Sequence, residues 1–388
     1  TSNEPFAKFA TSLNMMTGNI MCAVTAADDW IDFQFDISQF HQTTPIPTNA
    51  LPIITRQPMG FAERGPNGEP PEQMFWLLRR QMQGTRTAAS TANAYLDELL
   101  VSGGNFVRSP GDTRFFTYWH DVHGGVRLGM ISDDGLGAAQ RDAGIEYTRK
   151  LLRTRFEISS WGPWTGFRGF ELTRDRAKRT VAMTAKRLSR DGIAVLRADE
   201  LRFRPAGPCS TDIAKLELDP IPPVGAFGRE AWQARNTWFR AAVGWAIHVS
   251  QLYALAGYPI SVLGGQAASP SEAAVKCMKH LICWFEQQMD KGKTWGGGGD
   301  ESVLVQPPLA DMKNMMNTRG GPKPRCLHAF ADADLKLQSR YAGFLLLNGA
   351  CVWDRSRLQP SIAIDITDSE SYAYSVVAVI MEVAAGLH

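Results

Sequence analysis

The chain has 388 residues, room for two or three domains or one large one at roughly 150 residues each. Hydrophobic residues make up 44% and charged residues 21%, a packed globular composition that excludes wholesale disorder. With 41 basic against 39 acidic residues the net charge is +2, which excludes both a globally basic nucleic-acid coat and an acidic solvating chain. No run of 18 apolar residues occurs, so no membrane span is expected.

Residues 1–40 combine a helix-compatible start (Phe6, Phe9, Leu13, Met16) with the alternation Trp30–Ile37, which predicts a strand with one wet face. The start has no charged region followed by an apolar stretch and so does not read as a signal peptide; it also lacks an initiator Met. Residues 43–71 are dense in Pro and Gly and read as an extended arm. Pro71 then opens a helix through Met74, Leu77, Leu78 and Met82, and a second helix runs through Ala92, Tyr95, Leu96, Leu99 and Leu100 to a stop at Gly103-Gly104. Residues 114–131 read as a hairpin with its turn at His123-Gly124-Gly125, and a helix follows from about Ala138 to Arg155.

Residues 159–170 read as an aromatic and glycine-rich loop. Thr173 can cap a helix to about Arg190, with Ala177, Val181, Ala185 and Leu188 on its buried stripe. Ile193–Leu196 reads as a short strand and 205–228 as a proline-rich loop. Residues 229–256 form a helix stopped by Gly257 and Pro259, and Ser269-Pro270-Ser271-Glu272 reads as a capping box opening another. Gly296–Gly299 is a loop, 331–347 a helix, 361–367 a strand, and 372–384 an apolar element of either type. The fold class is therefore α+β and predominantly helical: a large helical core with small antiparallel strands and long Pro- and Gly-rich loops. Three regions follow: an arm over 1–71, a helix–hairpin–basic-helix region over 72–204, and a helical core over 205–388.

The six cysteines contain no C-x-x-C pair. They read as buried, reduced thiols, favouring a reducing, cytoplasmic setting. No Walker-type phosphate loop, dinucleotide-binding glycine motif or G-x-S-x-G elbow occurs, and no cofactor is expected. His120-Asp121-Val122-His123 reads first as a polar hairpin tip and second as a metal or acid–base candidate, since residues three apart on a strand point to opposite faces unless a turn intervenes. Cys326-Leu327-His328 with Asp332 and Asp334 is a second cluster, also read as a loop before an acidic first helical turn.

Charge asymmetry is the stronger signal. Arg149 to Arg204 holds fifteen basic and six acidic residues, a local +9 against −7 elsewhere. On the helix expected from 174, Arg174, Lys178, Lys186 and Arg190, with Arg179 and Arg187 beside them, form one basic stripe. Such a stripe reads equally as a surface that neutralises phosphates without reading bases and as a solvated helix face paired to acids elsewhere in the chain or in another subunit. Eleven tryptophans, among them Trp161, Trp164, Trp295 and Trp353 in loops or at element ends, suit protein interfaces, although ordinary core is the commoner fate of any single one.

This texture of proline-rich arms, loop aromatics, local charge asymmetry and a helix-rich core resembles the capsid proteins of small double-stranded RNA viruses of the fungal partiti-, toti- and quadrivirus-like kind. The resemblance rests on no residue motif. It implies a non-enzymatic, self-assembling shell subunit, with or without a second capsid chain, enclosing viral RNA without sequence preference through the stripe Arg174, Lys178, Arg179, Lys186, Arg187 and Arg190. Its setting would be the virion and the host cytoplasm, with no membrane partner. Two other readings compete: a cytoplasmic enzyme with a dispersed site drawn from His120, Asp121, His123, Cys326 and His328, and a non-specific nucleic-acid-binding adaptor.

Overall fold

In the computed structural model, residues 11–48, 50–56, 65, 67–68, 75–196, 204–209, 213, 215–296, 327–333, 340–347, 350–358 and 376 are described. The chain divides into two compact units, one of Thr1–Asn14 with Trp30–Pro163 and the other of Met15–Asp29 with Trp164–His388. The first helix, α1 (Met15–Asp28), belongs to the second unit.

The first unit is built on β1 (Ile31–Ile37), whose alternation puts Phe33, Phe35 and Ile37 in the core as its sequence predicts, while the other face, expected wet, is half-buried at Gln34 and Asp36 and buried at Asp32. A short helix α2 (Phe40–Thr43) and a small ladder of β2 (Ile54–Arg56) with β3 (Phe75–Leu77) follow. Helix α3 (Ala88–Glu98) ends in a π-helical turn, Leu99–Gly103, where the glycine pair predicts a stop. Then come β4 (Val107–Arg108), β5 (Phe115–His120), β6 (Gly124–Ile131), β7 (Asp134–Ala139), α4 (Asp142–Arg153) and β8 (Ile158–Gly162). These build one antiparallel sheet in the order β4-β5-β6-β7-β1-β8.

One face of this sheet is the core. Phe116, Tyr118, Val126, Leu128 and Met130 pack there with Ala92, Leu96, Leu99 and Leu100 of α3 and its terminal turn and Leu152 of α4. Each fully buried side chain of this size contributes about 1.5–3 kcal/mol. Phe33 and Phe35 lie opposite Gly137 and Gly135 of β7 and fill the room those glycines leave: an added Cβ would fall 2.2 Å and 2.1 Å from the two ring tips. Trp161 of β8 stacks on both rings, with centroids 5.2 and 5.1 Å away. Arg114, 1% exposed, pairs with Asp97 of α3 at 2.6 Å, and Arg108 holds the other carboxylate oxygen at 2.6 Å.

In the second unit α1 is buried continuously from Met16 to Ala26, the pattern of a helix enclosed on all sides. Strands β9 (Gly166–Phe167), β10 (Phe170–Asp175) and β11 (Thr180–Thr184) lead into α5 (Lys186–Val195), α6 (Arg229–Val249), α7 (Gly257–Gly265) and α8 (Glu272–Gln288), and β12 (Lys293–Gly296) completes a sheet ordered β12-β11-β10-β9. Helix α6 buries Phe239, Ala242, Val243, Ala246 and Val249, one stripe at helical spacing. Ser271 caps α8 by accepting from the Ala274 amide at 3.2 Å, so the cap lies two residues beyond Ser269 and the helix opens at Glu272. A three-stranded antiparallel sheet is formed by β13 (Leu327–Ala333), β14 (Arg340–Leu347) and β15 (Ala350–Leu358).

The predominantly helical class is corrected by this architecture. Among the described residues β1–β15 fall in four sheets, and α1–α8 accompany them: the fold is mixed α+β. The helix expected over 331–347 is instead β13 and β14, whose alternating partners run from Leu327↔Leu347 to Ala333↔Tyr341. The helix expected through Leu77 is strand at Phe75–Leu77. The strand expected at Ile193–Leu196 is the end of α5, and the loop expected at 159–170 contains β8 and β9 and opens β10. Short apolar runs fit both periods, and tertiary pairing decides between them. The expected element at 361–367, that at 372–384 apart from residue 376, and residues 49, 57–64, 66 and 69–71 of the proline-rich arm lie outside the described residues.

Candidate functional site

The six basic residues of the expected stripe do not share a helix. Phe170, Leu172, Val181 and Met183 are buried at strand spacing, so the segment forms the β10–β11 hairpin before α5 begins. The Lys178 amide donates to Asp175 Oδ1 at 3.0 Å and Arg179 adopts φ +52°, which turns the chain where a helix was expected. Arg174 is a nearly buried residue of β10, paired with Asp29 at 2.9 Å. Lys178 pairs with Asp175 at 3.2 Å in the turn. Only Lys186, Arg187 and Arg190 lie on one helix, α5. Lys186 holds Asp290 at 2.5 Å, and that bond, followed by its charge, keeps the Asp290 carboxyl below the ordinary range; Arg190 adds to the effect. The Arg187 amide donates to Glu171 Oε1 at 2.6 Å. Arg174, Lys178 and Lys186 thus pair with acids of their own unit.

His120 and His123 are brought together. The turn between β5 and β6 restores what strand geometry alone forbids, and the two imidazoles stack 4.6 Å apart. His120 Nδ1 accepts from the Val122 amide at 3.1 Å, Tyr118 Oη lies 2.7 Å from His123 Nδ1, and Tyr147 stacks on His123 at 4.7 Å. This is an aromatic ladder; Asp121 lies exposed in the turn. His328 and Asp332 lie on β13 at the register positions of Leu346 and Ala342, while Cys326 and Asp334 lie outside the described residues. Among the described cysteines, Cys22, Cys209, Cys277 and Cys283 are free thiols.

The carboxylates that do converge carry no motif. Asp36, near the end of β1, sits directly opposite Asp134, the first residue of β7. Both lie on the face away from α3 and α4, because their neighbours Phe35 and Gly135 face the core. Asp133 stands in the two-residue turn that joins β6 to β7, where Ser132 takes φ +56° and Ile131 pairs with Asp134. The Ile37 amide donates to the Asp133 carbonyl at 3.0 Å, tying the turn to β1. The Ser159 hydroxyl of β8 donates to Asp36 Oδ2 and lies 3.2 Å from the Asp36 carbonyl.

Residues directly opposite on adjacent strands have Cβ atoms about 4.5–5.5 Å apart, and like charges there are destabilising. Desolvation first, then the charges of Asp133 and Asp36, hold the Asp134 carboxyl above the ordinary carboxylate range. Asp36 is half-buried and the other two are exposed. Among the described residues no Lys or Arg forms an ion pair with any of the three. Nor, among those residues, do three acidic, His or Cys side chains close around one point as a complete metal cage. The arrangement offers two adjacent carboxylates, a third beside them, and an open side.

No family model matches the chain, and no curated protein does. A solved structure of the foamy viral protease-reverse transcriptase in complex with RNA/DNA hybrid is similar at TM-score 0.48 and 10% identity, over 97% of this chain and 39% of that one. The chain thus spans well under half the length of that protein. Among the described residues no helix is long and apolar enough to cross a membrane.

Proposed function

We propose that the first unit is a divalent-cation-dependent nucleotidyl-transfer centre that extends a nucleic-acid strand from nucleoside triphosphates. The observation that carries this is the Asp36–Asp134 pair set face to face across β1 and β7 with Asp133 beside it. Opposed like charges cost the folded chain stability, and a bound cation reverses the sign of that cost. Mg²⁺ suits the donor set: it is commonly held by one or two carboxylates, with waters and substrate phosphates completing its shell. Asp36 and Asp134 would hold it, with Asp133 adjacent.

When bound, such ions neutralise phosphate charge and activate the attacking oxygen. The chain's own part is positional. Ser159 orients the Asp36 carboxylate, and the tight β6–β7 turn fixes Asp134 and Asp133 relative to β1. Polymerases, nucleases and phosphatases all use paired-metal chemistry. A half-buried carboxylate at Asp36 with exposed ones at Asp133 and Asp134 leaves the pair open to solvent on one side, which suits a long substrate better than an enclosed small molecule.

The test is a labelled primer annealed to an RNA or DNA template, incubated with the purified chain, deoxynucleoside triphosphates and Mg²⁺ or Mn²⁺. Extension that is lost with chelator and in Asp36→Asn and Asp134→Asn supports the proposal. A shortened primer replaces it with a nuclease, phosphate release without strand change replaces it with a phosphatase, and absence of metal binding in calorimetry overturns it.

A shell-forming subunit around RNA is the second reading. It draws on one surface feature: Leu218, Ile221, Val224 and Phe227 stand exposed in the proline-rich segment before α6, an apolar run suited to self-association. On this reading copies of the chain, with or without a second capsid chain, would enclose viral RNA in a virion within the host cytoplasm.

A further inference from the structure

The sheet face that carries the carboxylates also carries an open aromatic platform. Trp119 of β5 pairs across from Gly125 of β6, and Thr117 pairs with Arg127, so Trp119, Gly125 and Arg127 lie on the face away from the helices. The register runs on from Arg127 to Ala138 and from Ala138 to Asp32, four residues along β7 and β1 from Asp134 and Asp36. Leu13 lies over Gly129 between the two places.

Two indoles converge on Gly125. An added Cβ would fall 2.6 Å from Trp30 Cη2 and 2.7 Å from Trp119 Cζ3, so the missing side chain is what seats both rings. The Arg127 guanidinium lies 4.0 Å from the centroid of the Trp30 ring. Trp119 nevertheless remains 67% exposed, and Val107, opposite Thr117 on the edge strand, 66%. A large ring held against backbone on one side and bare on the other leaves apolar area in water that ordinary folding would cover.

We propose that Trp119, seated on Gly125 and flanked by Trp30 and Arg127, is a stacking site for an unpaired base of a nucleic-acid strand. An open indole accepts the π-face of any base, and a neighbouring guanidinium suits the phosphodiester chain that links bases. The choice of ligand rests on the nucleotidyl-transfer reading; the geometry of the platform does not.

The experiment is fluorescence anisotropy of labelled oligo(dT) and oligo(rU) with the full chain, run on wild type, Trp119→Ala, Trp119→Phe and Thr117→Ala. Trp119→Ala weakens binding roughly tenfold, Trp119→Phe recovers most of it, and Thr117→Ala changes little. Thermal melts of each variant confirm folding, which the exposure of Trp119 favours. Wild-type affinity in Trp119→Ala, failure of the Phe variant to recover, or no strand binding by wild type overturns the site. So does a dimer, seen by sedimentation, that Trp119→Ala dissolves, since the platform is then a protein interface. Mn²⁺ titration separates the two proposals. Wild type that binds oligonucleotide through Trp119 but takes up no Mn²⁺ sinks the nucleotidyl-transfer reading alone. A Trp119→Ala chain that binds Mn²⁺ and oligonucleotide as wild type does sinks only the stacking site.

Discussion

Replacing Asp134 by Asn should make the protein more stable while removing its metal affinity. The carboxylate stands opposite Asp36 and beside Asp133, with no basic ion-pair partner among the described residues. Cross-strand pairs of this kind are worth about 0.2–1 kcal/mol, here with an unfavourable sign. Because Asp134 is solvent-exposed, screening puts the gain in the lower part of that range, about 1–2 °C in Tm. The pH dependence follows from the direction of its shift. The folded carboxyl titrates above its unfolded value, so the penalty is full above the folded pKa and fades as pH falls through it. The difference between Asn variant and wild type is therefore largest near neutrality and closes in acid. It also shrinks as salt rises. Scanning fluorimetry over pH and NaCl reads this directly. Adding Mn²⁺ should raise the melting point of wild type, by the equivalent of about 2.7 kcal/mol at a hundredfold excess over Kd, and leave the variant unmoved. An Asn variant that melts lower without metal, or gains as much from Mn²⁺ as wild type, would refute the reasoning.

Arg114→Met should cost about 3 kcal/mol in urea unfolding, the lower end for a broken buried pair, because Arg108 still contacts the stranded Asp97. Adding Asp97→Leu should return most of it, since burial already holds the Asp97 carboxyl above its ordinary range. Gly137→Ala should cost about 1–3 kcal/mol by pushing the Phe33 ring out of its stack with Trp161, read by the same unfolding curves and by near-ultraviolet circular dichroism. Tyr253→Phe should lose about 1 kcal/mol, because its hydroxyl lies 2.9 Å from the carbonyls of both Gln288 and Lys291 and serves the end of α8. Light scattering of the purified chain decides the shell reading: megadalton particles favour it, and a small species counts against it.

What could be read in the sequence was whatever a single period determines locally. The alternation of β1, the β5–β6 hairpin, and the apolar stripe and glycine stop of α3 appear in place, whereas the helix expected over 229–256 ends at Val249 and Gly257, read as its stop, opens α7. The β10–β11 segment shows why this fails elsewhere. Ala177, Val181, Ala185 and Leu188 fit a helical stripe, yet Phe170, Leu172, Val181 and Met183 fit a strand, and the turn at Asp175–Arg179 settles it. Strand β7 is harder still. Gly135-Leu136-Gly137-Ala138 has no β-branched or aromatic residue, and its glycines face Phe35 and Phe33 across the ladder.

The carboxylate site was hidden for the same reason. Asp36 and Asp134 are remote in the chain and meet because β1 inserts between β7 and β8, a non-sequential pairing that no local pattern specifies. The local clue was Ser132-Asp133-Asp134-Gly135, adjacent acids in a glycine-bearing turn directly after a hydrophobic strand. Taken alone it is an ordinary hairpin tip. It acquires chemical meaning once a second acid, at the end of another strand, is placed in register with it. The basic stripe differs in the opposite sense. Residues spaced to share a helix are divided between the β10–β11 hairpin and α5, and Arg174, Lys178 and Lys186 pair with nearby acids. On the nucleotidyl-transfer proposal, the chemistry would be set by strand order, because only the pairing of β1 with β7 brings the two acids together.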